Sequence, residues 1–286
     1  MNNEQQAAPL RRRQGNGTGK IFLTTFLIAL GCVLAILLIL YLCGIRYISI
    51  RTEVGSSGGT VKFFGRVDAD GAPYSGNLFY SNGVTAEVDM KNHTVSFSNG
   101  DVYTGELNSS LKLHGEGTLV YNTGDKYEGQ FENGSISGEG TFTYSNGDLY
   151  IGQFSGGKKN GTGTYTWNDG SSYEGGFKDD MKEGEGSYIW ADGSSFTGTF
   201  VNDLKEGSGT QKFANGDTYT GEYQADVRSG KGTYTWANGD IYEGEFSDNN
   251  MNGKGVYRFA SGRVYEGTFK NGIIVRDTSD DNSGEV

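Results

Sequence analysis

Beyond about residue 98, large apolar side chains and glycines fall on alternate positions in short runs, with polar residues between them. Tyr127, Gly129 and Phe131 alternate with Glu128 and Gln130; Gly138, Gly140, Phe142 and Tyr144 alternate with Glu139, Thr141 and Thr143. Successive side chains in a strand point to opposite faces, so this period of two predicts strands with rings and glycines on one face and Glu, Gln and Thr on the other. Between the runs lie Asn146 with Gly147, Asp169 with Gly170, Asp192 with Gly193, Asn215 with Gly216 and Asn238 with Gly239. Such pairs suit the left-handed dihedrals of two-residue hairpin turns, which are expected at these points. The alternate connection, as over residues 132–137, reads as longer and glycine-bearing. The pattern predicts an antiparallel meander with two strands per unit.

The unit repeats. A ring two residues before a glycine recurs at Tyr103, Tyr127, Tyr150, Tyr173, Phe196, Tyr219, Tyr242 and Tyr265, the first interval being 24 residues and the rest 23. A Gly-x-Gly pair starts at Gly115, Gly138, Gly161, Gly184, Gly207, Gly230 and Gly253, again in steps of 23. A fixed period of this length indicates a repeat architecture in which each unit packs mainly on its neighbours. Stacking would align like residues into columns: Tyr121, Tyr144, Trp167, Trp190, Phe213, Trp236 and Phe259 in one, Leu119, Phe142, Tyr165, Tyr188, Gln211, Tyr234 and Tyr257 in another. A third holds Leu107, Phe131, Phe154, Phe177, Phe200, Tyr223, Phe246 and Phe269. Paired glycines make room for rings of this size by letting each lie over bare backbone.

The run Gly-Asp-x-Tyr-x-Gly-x-Phe followed by Gly-x-Gly, carried well by residues 239–255, resembles the MORN (membrane occupation and recognition nexus) repeat. Seven to eight units between 98 and 275 fit it, and residues 60–97, where Tyr74, Ser75 and Gly76 keep the signature, look like degenerate or capping units. The resemblance implies an all-β repeat, a single-layer antiparallel meander of stacked β-hairpins that acts as a scaffold, membrane tether or dimerisation surface. Where family members are enzymes, it implies a separate catalytic domain beside the repeats.

Residues 21–43 form a run of 23 residues without a charge, rich in Leu, Ile and Phe. At about 1.5 Å per residue it can cross a hydrocarbon core of roughly 30 Å, so one N-terminal transmembrane α-helix is expected. A cleaved signal peptide is the rival reading, but its apolar region would be about 7–15 residues long. Arg11, Arg12, Arg13 and Lys20 precede the run, which favours a cytoplasmic tail over 1–20 and an outward-facing array. Residues 44–59 read as a juxtamembrane tether, and residues 276–286 as an acidic disordered tail.

Composition narrows the chemistry. Glycine accounts for 48 of 286 residues and aromatics for 13%, which suits a glycine/aromatic β-repeat rather than a linker. Both cysteines, Cys32 and Cys43, lie in the apolar run, so a disulfide scaffold or cysteine-ligated metal beyond it is excluded. The net charge of −11 rises to −14 beyond residue 43, where 34 acidic residues face 20 basic ones, and this disfavours nucleic acid and loose adsorption to anionic lipid. Lys158, Lys159, Lys182 and Lys205 would have to cluster for lipid contact. His93 and His114 are the only histidines and hold unequivalent repeat positions, so no catalytic residue, metal ligand or cofactor site is assigned. Glu128, Glu174, Glu243 and Glu266 share one repeat position and Glu106, Glu222 and Glu245 another; they read as a solvated face or as a ladder for a hard cation. The binding candidates are Tyr165, Trp167, Tyr188, Trp190, Tyr234 and Trp236, which either line an open trough for sugar rings or an extended peptide or simply fill a concave interior. A non-enzymatic membrane-anchored scaffold with a protein or polysaccharide partner is the function expected, and a phospholipid-binding tether between two bilayers the alternative. The terminal strand near 272–275 is a further candidate surface, for end-to-end pairing with another copy.

Overall fold

The computed structural model describes residues 17–52 and 59–275; the acidic tail over 276–286 and most of the basic tail over 1–20 lie outside them. A helix runs from Gly17 to Leu42, and its stretch Thr25–Leu42 is unburied by the rest of the chain and long and apolar enough to cross a membrane. Gly44, at φ 75°, ends it in the left-handed conformation that glycine adopts at helix C-termini.

The remainder is one 21-stranded antiparallel sheet, from Ile45–Thr52 to Ile273–Val275. Each strand pairs with the next in sequence, so the sheet is an unbroken meander, as the repeat predicts. One expectation changes at its start. Where a tether was expected over 44–59, Ile45–Thr52 pairs along its whole length with Gly59–Val67. Ile48 and Ile50 pack against the core there, which draws the chain into the sheet two residues after the helix. Arg46 clamps this junction: its guanidinium donates to the Tyr41 carbonyl at 2.8 Å and stacks 3.9 Å from the Tyr41 ring centre.

The turns differ from expectation too, and for a backbone reason. At Asn146 and Gly147 only the glycine takes positive φ, and the loop closes through Gly147 N to Tyr144 O at 2.9 Å with the Asn146 side chain accepting from Asp148 N. These are longer loops ending in a left-handed glycine. The two-residue turns are the other connections: Asp179 with Asp180, Asn202 with Asp203, and Asp248 with Asn249 all hold positive φ at both positions. Short Asp and Asn side chains tolerate that conformation better than most, so paired Asp/Asn served where glycine was the signal sought.

In every full unit the pairing register slips just after the first-strand glycine, as between Gly152 and Phe154 or Gly175 and Phe177. A bulge of this kind bends and twists its strand. The bend brings Phe154 edge-on to Tyr150, with centroids 5.0 Å apart, and to Tyr127 at 5.2 Å. Repeated, it makes a zipper in which Tyr127, Tyr150, Tyr173, Tyr219 and Tyr242 are wholly buried and Phe131, Phe154, Phe177, Phe200 and Phe246 nearly so. Over Gly59–Val67 to Thr94–Phe97 the same role passes to Phe63, Leu78, Val88 and Val95.

Candidate binding face

Each unit sets its buried ring by one device. Tyr150 lies back along its own strand over Gly152 and across Gly163 of the next strand, where any Cβ would strike the ring. Its hydroxyl donates to the Gln153 carbonyl at 3.0 Å, so the ring is buried without an orphaned polar group. Tyr127, Tyr219 and Tyr242 repeat the arrangement, while Phe196 keeps the packing over Gly198 and Gly209 and lacks the hydroxyl.

Above these rings run the half-buried ones. Tyr165 and Trp167 sit 4.5 Å apart, Trp167 and Tyr188 5.0 Å, and Tyr188 and Trp190 4.6 Å, in one continuous ladder. A second ladder links Phe213, Tyr234, Trp236, Tyr257 and Phe259. All six sequence candidates therefore lie on one face, but in two groups: Gln211 occupies the intervening ring position and interrupts them.

The ladders are fastened by carboxylates on the rim. Asp148 accepts from the Tyr165 hydroxyl at 2.8 Å and from Asn168 N at 2.9 Å; Asp217 does the same with Tyr234 at 2.6 Å and Ala237 N at 2.8 Å. Asp240 repeats it with Tyr257 and Ala260 N. These bonds favour the ionised acid: the Asn168 amide holds Asp148, and the Tyr234 hydroxyl holds Asp217, below the usual carboxylate range. In two units the rim residue is instead a serine, Ser171 or Ser194.

A row of cations crosses the same face. Lys159, Lys182, Lys205 and Arg228 stand 23 residues apart, each with its charge within 6 Å of several ring centres. Lys159 lies 4.7 Å from the centre of Tyr165, Lys182 5.3 Å from Tyr188, Lys205 5.7 Å from Trp190 and Arg228 5.3 Å from Tyr234. Burial pushes the Lys159 and Lys205 ammonium groups down from the ordinary lysine value. Lys158, grouped with these lysines on sequence, points elsewhere and pairs with Asp179 at 3.2 Å. Sequence reasoning missed the row as a unit because Arg228 differs in type, although the 23-residue step carried the signal.

The family model for the MORN repeat matches residues 112–126, 127–149, 150–172, 173–195, 196–218, 219–241, 242–262 and 265–275, more than half of the chain. The chain belongs to the MORN-repeat family. No curated protein matches it. Among solved structures, the SAS-4 TCP domain of Drosophila melanogaster, in complex with a proline-rich motif of Ana2, is 12% identical, with 72% of this chain and 96% of that one covered and a TM-score of 0.27. A catalytically inactive virginiamycin B lyase from Staphylococcus aureus with quinupristin is also 12% identical, over 78% and 88% of the two chains, at a TM-score of 0.18. Neither likeness carries an argument about this MORN array.

Elsewhere on the array, three of the carboxylates read as a cation ladder have other neighbours. The Glu222 carboxylate reaches over Gly230 and accepts from Lys231 N at 3.2 Å, Glu245 lies against Gly253, and Glu128 pairs with Lys126 at 2.9 Å. No group of His, Cys, Asp and Glu among the described residues is arranged to hold a metal ion. His93 lines a groove near the first strands with Glu106 and Tyr74, whereas the backbone carbonyl of His114 receives the Tyr103 hydroxyl.

Proposed function

We propose that this MORN-repeat protein is a non-enzymatic scaffold, held in a membrane by a single uncleaved span over residues 21–43 with its N-terminus cytoplasmic, that displays its array to a protein or surface polysaccharide. The observation that carries the reading is the long half-buried face of rings and cations, which includes Tyr165, Trp167, Tyr188, Trp190, Tyr234 and Trp236. Carboxylate latches on Tyr165 and Tyr234, above a layer of buried rings seated on glycines, preorganise the surface, so a ligand meets little ordering cost there. The helix supports the anchoring, and the short junction at Cys43 and Gly44 would keep the array close to the bilayer. The exposed edge of Ile273–Val275, with Ile273 71% accessible, supports pairing with a second copy.

The experiment is a binding screen of the full chain in zwitterionic nanodiscs against acidic and neutral glycans and extracellular protein extract, with accessibility labelling at residue 271 for topology. Capture of a polymer or protein that is lost in a Trp167→Ala, Trp190→Ala protein supports the reading. The alternative, a phospholipid tether bridging two bilayers, has the cation row for support and the charge of −14 against it. Salt-sensitive binding to anionic vesicles in the absence of polymer binding would select that tether.

A further inference from the structure

We propose that the segment of the face between Trp167 and Phe213 binds a linear acidic polysaccharide, with sugar rings packed on Trp167 and Trp190 and acid groups received by Lys182 and Lys205. The inference rests on the reading of the array as a display surface for a surface polymer.

Four observations meet here. The cations recur every two strands, so one positive charge stands about every 9.6 Å along the array, the spacing of a polymer with one acid per two sugar rings. The ring ladder stops at Trp190, whose next position holds Gln211 rather than a ring. Gln211 is buried, and its side-chain carbonyl accepts from Lys205 Nζ at 3.3 Å. The rim changes in the same place: Ser171 and Ser194 stand where Asp148, Asp217 and Asp240 stand in other units, and the acids shift two residues back to Asp169 and Asp192, where other units have Asn146, Asn215 and Asn238; Asp192 there accepts from the Ser194 amide and hydroxyl at 2.9 and 2.6 Å.

Other acids face the lysines from the opposite turns. Asp203 lies 3.7 Å from Lys182, and Asp203 and Asp226 each accept a backbone amide, that of Lys182 and Lys205 respectively, at 2.9 Å. Their carboxylates are thus committed in part to holding the turns. The Lys182 side chain is only 19% exposed, with rings replacing much of its water. A partly dehydrated ammonium gains more from an arriving anion than a solvated one does. Indoles offer the flat apolar surface that sugar rings pack against, and Gln211 offers the hydrogen bonds that their hydroxyls need.

The test uses the full chain in zwitterionic nanodiscs and a hyaluronan oligosaccharide, in which uronic acid alternates with a neutral sugar, against the same oligosaccharide with its carboxyls reduced to alcohols. Tryptophan fluorescence and calorimetry should show binding of the acidic form that weakens with salt, and binding at least about tenfold weaker for the reduced form. A Lys182→Met, Lys205→Met protein should lose about tenfold or more in affinity. Ser194→Asp, which adds an acid beside Asp192 on that rim, should weaken binding while both lysines remain. Equal binding of the acidic and reduced forms overturns this inference and leaves the surface-polymer reading standing. Binding of neither oligosaccharide overturns the inference, and if the wider glycan screen is also blank the polymer reading falls with it. Binding to phosphatidylserine vesicles alone assigns the cations to lipid and overturns both.

Discussion

The Tyr234 hydroxyl donates to the Asp217 carboxylate at 2.6 Å across 17 residues of chain, while the other oxygen of that carboxylate receives Ala237 N at 2.8 Å. One side chain thus joins a turn of its own unit to a ring and a turn of the next. Asp148 and Asp240 make the same joint. In a single-layer array, where no second sheet packs over the first, such joints link each unit to its neighbour beyond the backbone ladder.

The joint should be sensitive to acid. Asp125, Asp148 and Asp217 all titrate below the usual carboxylate value, held by backbone amides and by hydroxyls of Thr123, Tyr165 and Tyr234. A depressed folded pKa contributes stability that is present above the unfolded value of about 3.9 and is lost as pH falls through the lower folded value. The thermal midpoint should therefore drop steeply below about pH 4, and Asp217→Asn should flatten that drop. An unchanged profile in the variant would remove Asp217 from the joint.

Alkali should act on the buried and latched tyrosines. Burial pushes Tyr127, Tyr173, Tyr219 and Tyr234 up to about 12. The sign is opposite: a raised folded pKa contributes stability that is intact below the unfolded value of about 10 and is lost as pH climbs through the folded one. Absorbance at 295 nm should show these tyrosines ionising well above pH 10, together with loss of the strand signal in circular dichroism. A titration centred near pH 10 with the sheet intact would contradict the buried seats.

The glycine seats can be tested one at a time. Gly163 has ordinary backbone dihedrals, yet a Cβ there meets the Tyr150 ring, so Gly163→Ala should cost about 2–3 kcal/mol through overpacking. Gly193, at φ 82° with open space around it, should cost only about 1 kcal/mol on the same change, from its left-handed backbone alone. Urea denaturation ranks the two, and equal losses would refute the steric seat.

Lys205 over Trp190 offers an optical reading. Lys205→Met keeps the apolar stem and removes the charge 5.7 Å from the indole centre and 5.2 Å from that of Tyr223. A cation over a ring is worth about 0.5–2 kcal/mol, and relieving a half-buried ammonium offsets part of it, so stability should move by less than about 1 kcal/mol. The Trp190 emission should nevertheless shift, measured in a protein with Trp167 and Trp236 replaced by Phe.

Much of this could be read from the letters. Tyr150, Gly152 and Phe154 announce a strand with its inward face, and the 23-residue return of that triplet announces the stack. The turn chemistry was less legible: Asn146 and Gly147 look like a tight turn, and only the φ values show that Asp179 and Asp180 make it. Strand formation at Ile45–Thr52 was hidden because Ile48 and Ile50 become core only once Gly59–Val67 lies beside them.

From residue order alone follow the meander, its period and the columns in which like side chains stand, because alternation and recurrence are properties of a chain before it folds. What folding had to supply is distance across the bend. Lys182 and the Tyr188 ring belong to one strand, yet the bulge after Gly175 and the curl it imposes set how the lysine charge comes to hover over that ring and over Phe200. Such closeness depends on accumulated bend and twist, which no single repeat encodes by itself.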